Sequence, residues 1–257
     1  MSQSSTAQVG GAPEHAGSRS GSSATAGQQA AGWEDGAHPV RVTRVFLRPL
    51  ANPLSLGYLG LFFATIVMAS TELGWVPTRQ SHLLGIGILV LTVPLQLISC
   101  VFGFLVRDDV CATGMGLQAG IWAMIGVTQL VSKPGSTSPA VGLMLILGTF
   151  AVLMPATGAV RSKVLAAAVF YTTATRWAIT SGYEFSSNPI WKTAAGAAGI
   201  LLAVMALYAS LAFELEDQQR RTILPTLRRG SGRQAMTGQL ADQVDRVANE
   251  AGVRKQV

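Results

Sequence analysis

The sequence predicts an all-α integral membrane protein, built as a bundle of six transmembrane helices. Two observations support this fold class. Of the 257 residues, 49% are hydrophobic and only 12% are charged, about half the charged share of a soluble domain. Six apolar segments also follow one another after residue 50. Each is close to the roughly 20 residues that a helix needs to cross the hydrocarbon of a bilayer.

The composition of residues 1–40 predicts a disordered N-terminal tail. They are rich in Gly, Ala, Ser and Gln, and such a tract cannot bury enough apolar surface to offset the entropy of ordering. The tract also lacks the apolar core of a signal peptide, so we expect no cleavage there.

The predicted membrane domain, residues 41–227, contains the six spans. Short connections separate them, and proline and glycine in these connections end one helix and reverse the chain. The second, third, fourth and sixth spans contain no Asp, Glu, Lys or Arg. The predicted limits are 54–74, 83–106, 110–131, 140–160, 164–183 and 193–213.

The sequence predicts that residues 228–257 form a cytoplasmic C-terminal tail with a short amphipathic helix. Met236, Leu240, Val244 and Val247 recur at steps of three and four, the spacing of one helix face. We expect this helix to lie on the membrane or on the cytoplasmic face of the bundle. A docking site for a partner is the alternative.

The basic residues of the short loops predict a multi-pass plasma-membrane protein with both termini in the cytoplasm. With the N-terminus inside, the outer loops hold only Arg79, Lys133 and Lys192, whereas the inner side holds Arg41, Arg44, Arg48, Arg107, Arg161, Lys163, Arg220, Arg221, Arg228 and Arg229. These charges cluster at the ends of apolar segments and form no single stripe. The net charge of +6 therefore does not indicate a nucleic-acid partner.

The sequence contains no pattern typical of a metal or cofactor site. Cys100 and Cys111 lie in or beside apolar segments without a His or Cys at ligand spacing, which predicts buried, inert thiols. No pair of ionisable side chains has catalytic spacing within the spans, so we do not expect an enzyme.

Polar groups inside the spans are the candidates for a solute pathway, because such groups are costly in hydrocarbon. Asn52 precedes Pro53 at the start of the first span, where it either caps the helix or lines an entrance. Gln96, two residues after the helix-distorting Pro94, and Gln118 in the third span are uncharged amides. Each amide would hydrogen-bond either a solute or a neighbouring helix.

Arg176, in the fifth span, is the only Asp, Glu, Lys or Arg well inside a predicted segment. A charge at this depth costs at least about 2.5–3.5 kcal/mol on insertion scales. Either its long stem reaches the outer interface, or its charge attracts an anion such as a carboxylate. Glu72 and Glu184, near the outer rim, are possible partners for this charge.

Three segments in order resemble the acetate uptake transporter family, the succinate–acetate permeases typified by YaaH. Asn52-Pro53-Leu54-Ser55-Leu56-Gly57-Tyr58 resembles that family's Asn-Pro-Ala-Pro-Leu-Gly-Leu, and Gln96 resembles its helix-two glutamine. Ala206-Leu207-Tyr208 and Arg221-Thr222-Ile223-Leu224-Pro225 resemble its Ala-Ile-Tyr and Arg-Thr-Val-Leu-Pro at the same spacing. The resemblance covers roughly residues 50–227.

The resemblance implies a six-helix protomer with its own pore, a homohexamer, and uptake of acetate or a related small monocarboxylate together with a proton. Related urea and amide channels share this architecture. The side chains that narrow the family's pore fall on Leu61, Gln118 and Thr172, which makes the expected constriction more polar. The family's second proline falls on Ser55, and a glutamate near the end of helix two falls on Gly103.

Three hypotheses follow. In the leading one, a carboxylate is drawn toward Arg176, sheds water at the constriction of Leu61, Gln118 and Thr172, and then meets Asn52 and Gln96 further in. The protonated acid would cross this collar more easily than the anion, because charge is expensive there. The second hypothesis is a channel for neutral amides or urea, and the third is a non-transporting membrane sensor or scaffold that signals through its tails.

Overall fold

The computed structural model describes residues 50–237, and over this range the chain folds into α-helices without a β-strand. Asparagine–proline pairs begin two of the long helices, at Pro53 and Pro189. The asparagine side chain accepts a hydrogen bond from a free backbone amide at each of these two starts. The helices are α1 (Pro53–Glu72), α2 (Ser81–Gly87), α3 (Val93–Leu105), α4 (Asp109–Val131), α5 (Pro139–Ala159), α6 (Val164–Ser186), α7 (Pro189–Gln219) and α8 (Gly230–Thr237).

Helices α2 and α3 belong to one continuous helical segment, Thr78–Leu105. A wide π-helical turn, Ile88–Thr92, joins them immediately before Pro94. Proline has no N–H, and its ring clashes with the carbonyl one turn earlier, so the wider turn relieves this crowding. The distortion expected at Pro94 is therefore present, as a local widening of a helix that continues.

The long helices form a closed ring. Each packs against its neighbours in the order α1, α2–α3, α4, α5, α6 and α7, and α7 packs back against α1. Successive helices run in opposite directions, so the ring has two ends. We call them the Glu72 end, where α1 finishes, and the Asn52 end, where α1 begins.

The outward faces of the ring are apolar. A soluble monomer rarely exposes a contiguous apolar surface this large, whereas lipid requires one. The exposed side chains include Leu97, Val101, Phe104, Leu147, Phe150, Met154, Leu201 and Val204. Among the described residues, 50–237, five helices can cross a membrane by length and composition: Pro53–Glu72, Thr78–Leu105, Asp109–Val131, Pro139–Ala159 and Pro189–Gln219.

Helix α6 is as long as the other spans, at 23 residues, but it is more polar because it carries Arg176 and several threonines. It is not among the five helices apolar enough to span by composition alone. The prediction of a helical membrane bundle is thus confirmed, with five of the six predicted spans meeting this criterion.

At the Asn52 end, the chain folds back under the ring after α7. Arg228 pairs with Lys163 as an isolated β-bridge, and the Arg229 amide donates to the Ser162 carbonyl at 3.0 Å. Of the predicted amphipathic pattern, Met236 lies in α8, while Leu240, Val244 and Val247 lie outside the described residues, as does the predicted tail of residues 1–40.

Candidate solute pathway

Arg176 is buried at the Glu72 end of the ring and forms an ion pair with Glu72. Its Nη2 donates to both carboxylate oxygens, at 3.2 and 3.0 Å, and the two side chains are 3% and 7% exposed. The guanidinium also lies 5.7 Å from the centre of the Trp122 ring. The other predicted partner, Glu184, instead accepts from the Ser138 amide at 2.8 Å. Arg176 therefore carries a paired charge, and its guanidinium extends to the last residue of α1, at the Glu72 end of the ring.

Small residues on the neighbouring helices make room for this guanidinium. A Cβ on Gly199 of α7 would lie 2.8 Å from Arg176 Nε and 3.0 Å from the Ala69 Cβ. Because Glu72 ends α1, where a carboxylate faces the negative end of the helix dipole, the arginine also compensates an unfavourable position.

A cavity of about 90 Å³ opens beside the ion pair. This volume holds several waters or one solute of a few heavy atoms. Its wall combines the ion pair with hydroxyl, indole and basic groups, among them Glu72, Arg176, Trp122, Trp177, Thr128, Thr180, Lys133 and Lys192.

Gln96 and Gln118 form a hydrogen-bonded pair deeper in the ring. Gln96 Nε2 donates to Gln118 Oε1 at 2.9 Å, and neither residue is exposed at all. Gly60 of α1 packs against this pair, since a Cβ there would lie 3.2 Å from Gln96 Cγ. Gln118 lies one helix turn from Trp122, about 6 Å along α4, so the pair is the next polar layer below the cavity.

Several buried polar atoms along this axis have no hydrogen-bond partner. Buried polar atoms in proteins are normally paired, so these atoms are candidates for hydrogen bonds to a solute or to water. The atoms are Trp122 Nε1, Trp177 Nε1, Arg176 Nε, Gln118 Nε2, Gln96 Oε1 and Tyr58 Oη.

An aromatic cluster closes the axis toward the Asn52 end. The Tyr58 ring lies 6.1 Å from that of Phe170 and 5.9 Å from that of Phe213, and all three side chains are fully buried. Arg228 from the returning C-terminal segment lies 5.6 Å from the Phe213 ring. The route described by the polar atoms therefore ends at Tyr58 in this conformation.

The structure brings only some of the predicted site residues together. Leu61 is fully buried and follows Gly60, which packs on the glutamine pair. Thr172 is half-buried at the α7 side of α6, where its hydroxyl donates to the Ala168 carbonyl at 2.9 Å and contacts Met205 Sδ at 3.5 Å. Its neighbour Thr173 is the fully buried threonine.

Asn52 lies apart from the glutamine pair. Its side-chain oxygen accepts a hydrogen bond from the Leu54 backbone amide at 3.1 Å. Its own backbone amide donates to the Asp217 carboxylate at 3.2 Å. It precedes Gly60 by eight residues, about 12 Å along α1. Its hydrogen bonds are those of a helix cap, and it also lines a cavity of about 440 Å³ together with Ser55 and Ser99.

The sequence alone did not single out Tyr58, Trp122 and Trp177 as site residues. Each is an aromatic side chain with a polar atom in a predicted span. Such an atom needs a hydrogen-bond partner when it is buried, and this feature could have identified these residues from the sequence. Cys100 and Cys111 are free thiols, and within residues 50–237 no cluster of three or more His, Cys, Asp or Glu side chains could hold a metal ion.

The chain is similar to proteins of known fold. A solved structure described as the structure of the bacterial acetate channel SatP superposes with a TM-score of 0.61 at 19% identity, covering 69% of this chain and 99% of that one. No curated protein matched by sequence. A model of the GPR1/FUN34/yaaH family matches residues 35–228, three quarters of the chain. This match confirms the resemblance to the acetate uptake transporters: the chain belongs to the GPR1/FUN34/yaaH family.

Proposed function

We propose that this protein is a membrane channel or transporter for acetate or a similarly small carboxylic acid. The observation that carries the proposal is the set of buried, unpaired polar groups inside a ring with an apolar exterior. Membership of the GPR1/FUN34/yaaH family and the fold shared with a protein described as an acetate channel support the choice of solute.

In the proposed route, the Glu72 end faces outward, both termini lie in the cytoplasm, and α6 completes a six-helix membrane domain with one pore per protomer. The solute enters the cavity beside Arg176 and Glu72, passes Trp122 and reaches the glutamine pair. The Tyr58 ring then has to move for release toward the Asn52 end. Assembly of protomers as a homohexamer would cover part of the apolar exterior.

The test is uptake of labelled acetate by proteoliposomes that contain the purified full chain, from about pH 5 to about pH 7. We expect initial rates above those of protein-free liposomes, with faster uptake at the lower pH if a proton accompanies the solute. Rates equal to those of protein-free liposomes at every pH would refute the proposal.

A channel for neutral amides or urea is the second candidate. The observation that favours it is the Arg176–Glu72 ion pair, because the two opposite charges sum to zero and the pair therefore attracts an anion only weakly. Osmotic swelling of the same proteoliposomes in urea or acetamide, without swelling in ammonium acetate, would select this candidate over the first.

A further inference from the structure

We propose that the Gln96–Gln118 pair recognises a neutral, planar group with one hydrogen-bond donor beside one acceptor. The carboxyl group of a protonated acid and the carboxamide of a small amide both have this chemistry. The inference rests on the proposed function for its setting, a solute pathway, and adds the chemical form in which a solute passes the pair.

The pair itself leaves one amide nitrogen and one amide oxygen without any hydrogen-bond partner. The bond between Gln96 Nε2 and Gln118 Oε1 leaves Gln96 Oε1 and Gln118 Nε2 without partners, although both residues are fully buried. An amide oxygen only accepts and an amide nitrogen only donates. If both amides were rotated by half a turn, the free atoms would again be one oxygen and one nitrogen, so the conclusion does not depend on their assignment.

A carboxylate anion matches this pair poorly. It has only acceptors, so it satisfies the free nitrogen and meets the free oxygen as a second acceptor. A protonated acid donates its O–H to the free oxygen and accepts from the free nitrogen, and a primary amide does the same with its N–H. In a buried site, where an unpaired polar group is most costly, this difference discriminates between the charged and the neutral form.

The surroundings do not compensate an anion at this level. Leu61, next to Gly60 on α1, and Met115, three residues before Gln118 on α4, are apolar and fully buried. Arg176 is already engaged by Glu72 through both carboxylate oxygens. A negative charge at the pair would therefore gain no free cation, and it would leave Gln96 Oε1 without a donor.

Recognition of the neutral acid would account for the proton that the family resemblance already implies, because solute and proton then pass together. A carboxylate takes a proton from the water on the side that it leaves, and the acid returns that proton on the other side. No net charge crosses, so the flux does not respond to the membrane potential.

The experiment compares three solutes in proteoliposomes of the full chain. Acetate tests the acid, acetamide tests the amide, and methanesulfonate, which stays ionised, tests the anion. For the wild type we expect acetate flux to fall with the protonated fraction as the pH rises, acetamide flux to be independent of pH, and methanesulfonate flux to equal that of protein-free liposomes.

Two variants at one position test the pair. Gln118→Met keeps the size and removes both polar atoms, and we expect it to lower acetate and acetamide flux about tenfold or more. Gln118→Glu keeps one donor and one acceptor only while protonated. Acetamide flux should therefore be near the wild-type rate at low pH and should be lost as the pH rises and the introduced carboxyl ionises. Gln218→Met, the same change at the exposed end of α7, should leave all three fluxes unchanged.

A Gln118→Glu variant whose acetamide flux ignores pH overturns the proposal, as does methanesulfonate flux equal to that of acetate. Acetate flux with an unaffected Gln118→Met variant refutes the role of the pair and leaves the proposed function intact. Acetamide flux that depends on Gln118, without acetate flux, refutes acetate transport and supports the pair. A wild type that passes neither solute overturns both proposals.

Discussion

Arg176 and Glu72 each stabilise the buried charge of the other. Both side chains are almost fully buried, and removal of one partner would leave an isolated charge in a low-dielectric region. Gly199 and Ala69 give the guanidinium the space that it needs. The pair therefore binds α1 to α6 at the Glu72 end and at the same time shapes the wall of the cavity.

The first prediction concerns this pair. Arg176→Met and Glu72→Gln should each destabilise the protein by about 3 kcal/mol or more, since a buried charge loses its partner. The double variant, which buries no unpaired charge, should be more stable than either single variant. Thermal unfolding in detergent measures this. Arg79→Gln, an exposed position, is the control, and a double variant less stable than both singles would contradict the account.

At this scale the sequence could predict which residues are unusual but could not predict all of their contacts. Arg176 and Glu72 were recognised because charges are rare in lipid. Their pairing depends on how α1 and α6 approach, which no local pattern specifies. Gln96 and Gln118 were recognised as polar residues in spans, whereas the bond between them depends on the packing of α3 on α4.

Close approach of helices depends on individual glycines. A Cβ on Gly103 of α3 would lie 2.7 Å from the Ala112 amide nitrogen of α4, so the glutamate expected there from the family pattern has no space. Gly120 of α4 faces open space, with no atom within 4 Å of such a Cβ. Glycines with the same helical backbone therefore have different structural roles.

The second prediction compares these two glycines. Gly120→Ala should be neutral or stabilise the protein by up to about 1 kcal/mol, because alanine is the better helix former. Gly103→Ala should destabilise it by about 1–3 kcal/mol through overpacking. Melting temperatures of the purified variants, measured in the same detergent, give the comparison, and equal stability of the two would show that α3 and α4 are not so closely packed.

Glu216 attaches the returning C-terminal segment to α7. It accepts from Thr222 at 2.9 Å, from Thr226 at 3.1 Å, and from Arg228 Nη2 at 2.6 Å. It is 2% exposed, so these donors replace the water that a carboxylate otherwise binds. The same segment contributes Arg228 to the Phe213 ring below the aromatic cluster.

The third prediction is that Glu216→Ala releases this segment. Loss of the shared acceptor leaves several donors unpaired, so hydrogen exchange of residues 222–230 should become faster while exchange in the middle of α4 stays slow. Glu214→Ala, an exposed glutamate on the same helix, should leave both regions unchanged. Unaltered exchange in residues 222–230 of Glu216→Ala would mean that other contacts hold the segment.

At the scale of elements, the sequence predicted all six long helices but not all of their limits. Apolar runs and Pro-rich connections located them to within a few residues for most spans. The sixth predicted span, 193–213, is longer in the structure, Pro189–Gln219. Its start follows the Asn188 cap, which the sequence pattern shares with Asn52. Its polar end stays helical because Glu216 has tertiary partners, which sequence spacing does not reveal.

The whole molecule is a ring with two chemically different surfaces. Its outer face is apolar, as lipid requires, and its axis carries polar atoms from the cavity to Tyr58. Hydropathy predicts the outer face directly, because every span contributes to it. The axis could be predicted only in part, since it arises where four separate helices, α1, α3, α4 and α6, each contribute a side chain.

The central claim, that this axis is the route of the solute, is tested most directly by a matched pair of variants in an acetate uptake assay. Leu61→Trp adds bulk at a fully buried position next to Gly60, which packs on Gln96, and Leu147→Trp makes the same change on the exposed face of α5. We predict that, among monodisperse preparations, Leu61→Trp reduces uptake to the rate of protein-free liposomes while Leu147→Trp retains the wild-type rate. Wild-type uptake by a folded Leu61→Trp variant would contradict the account.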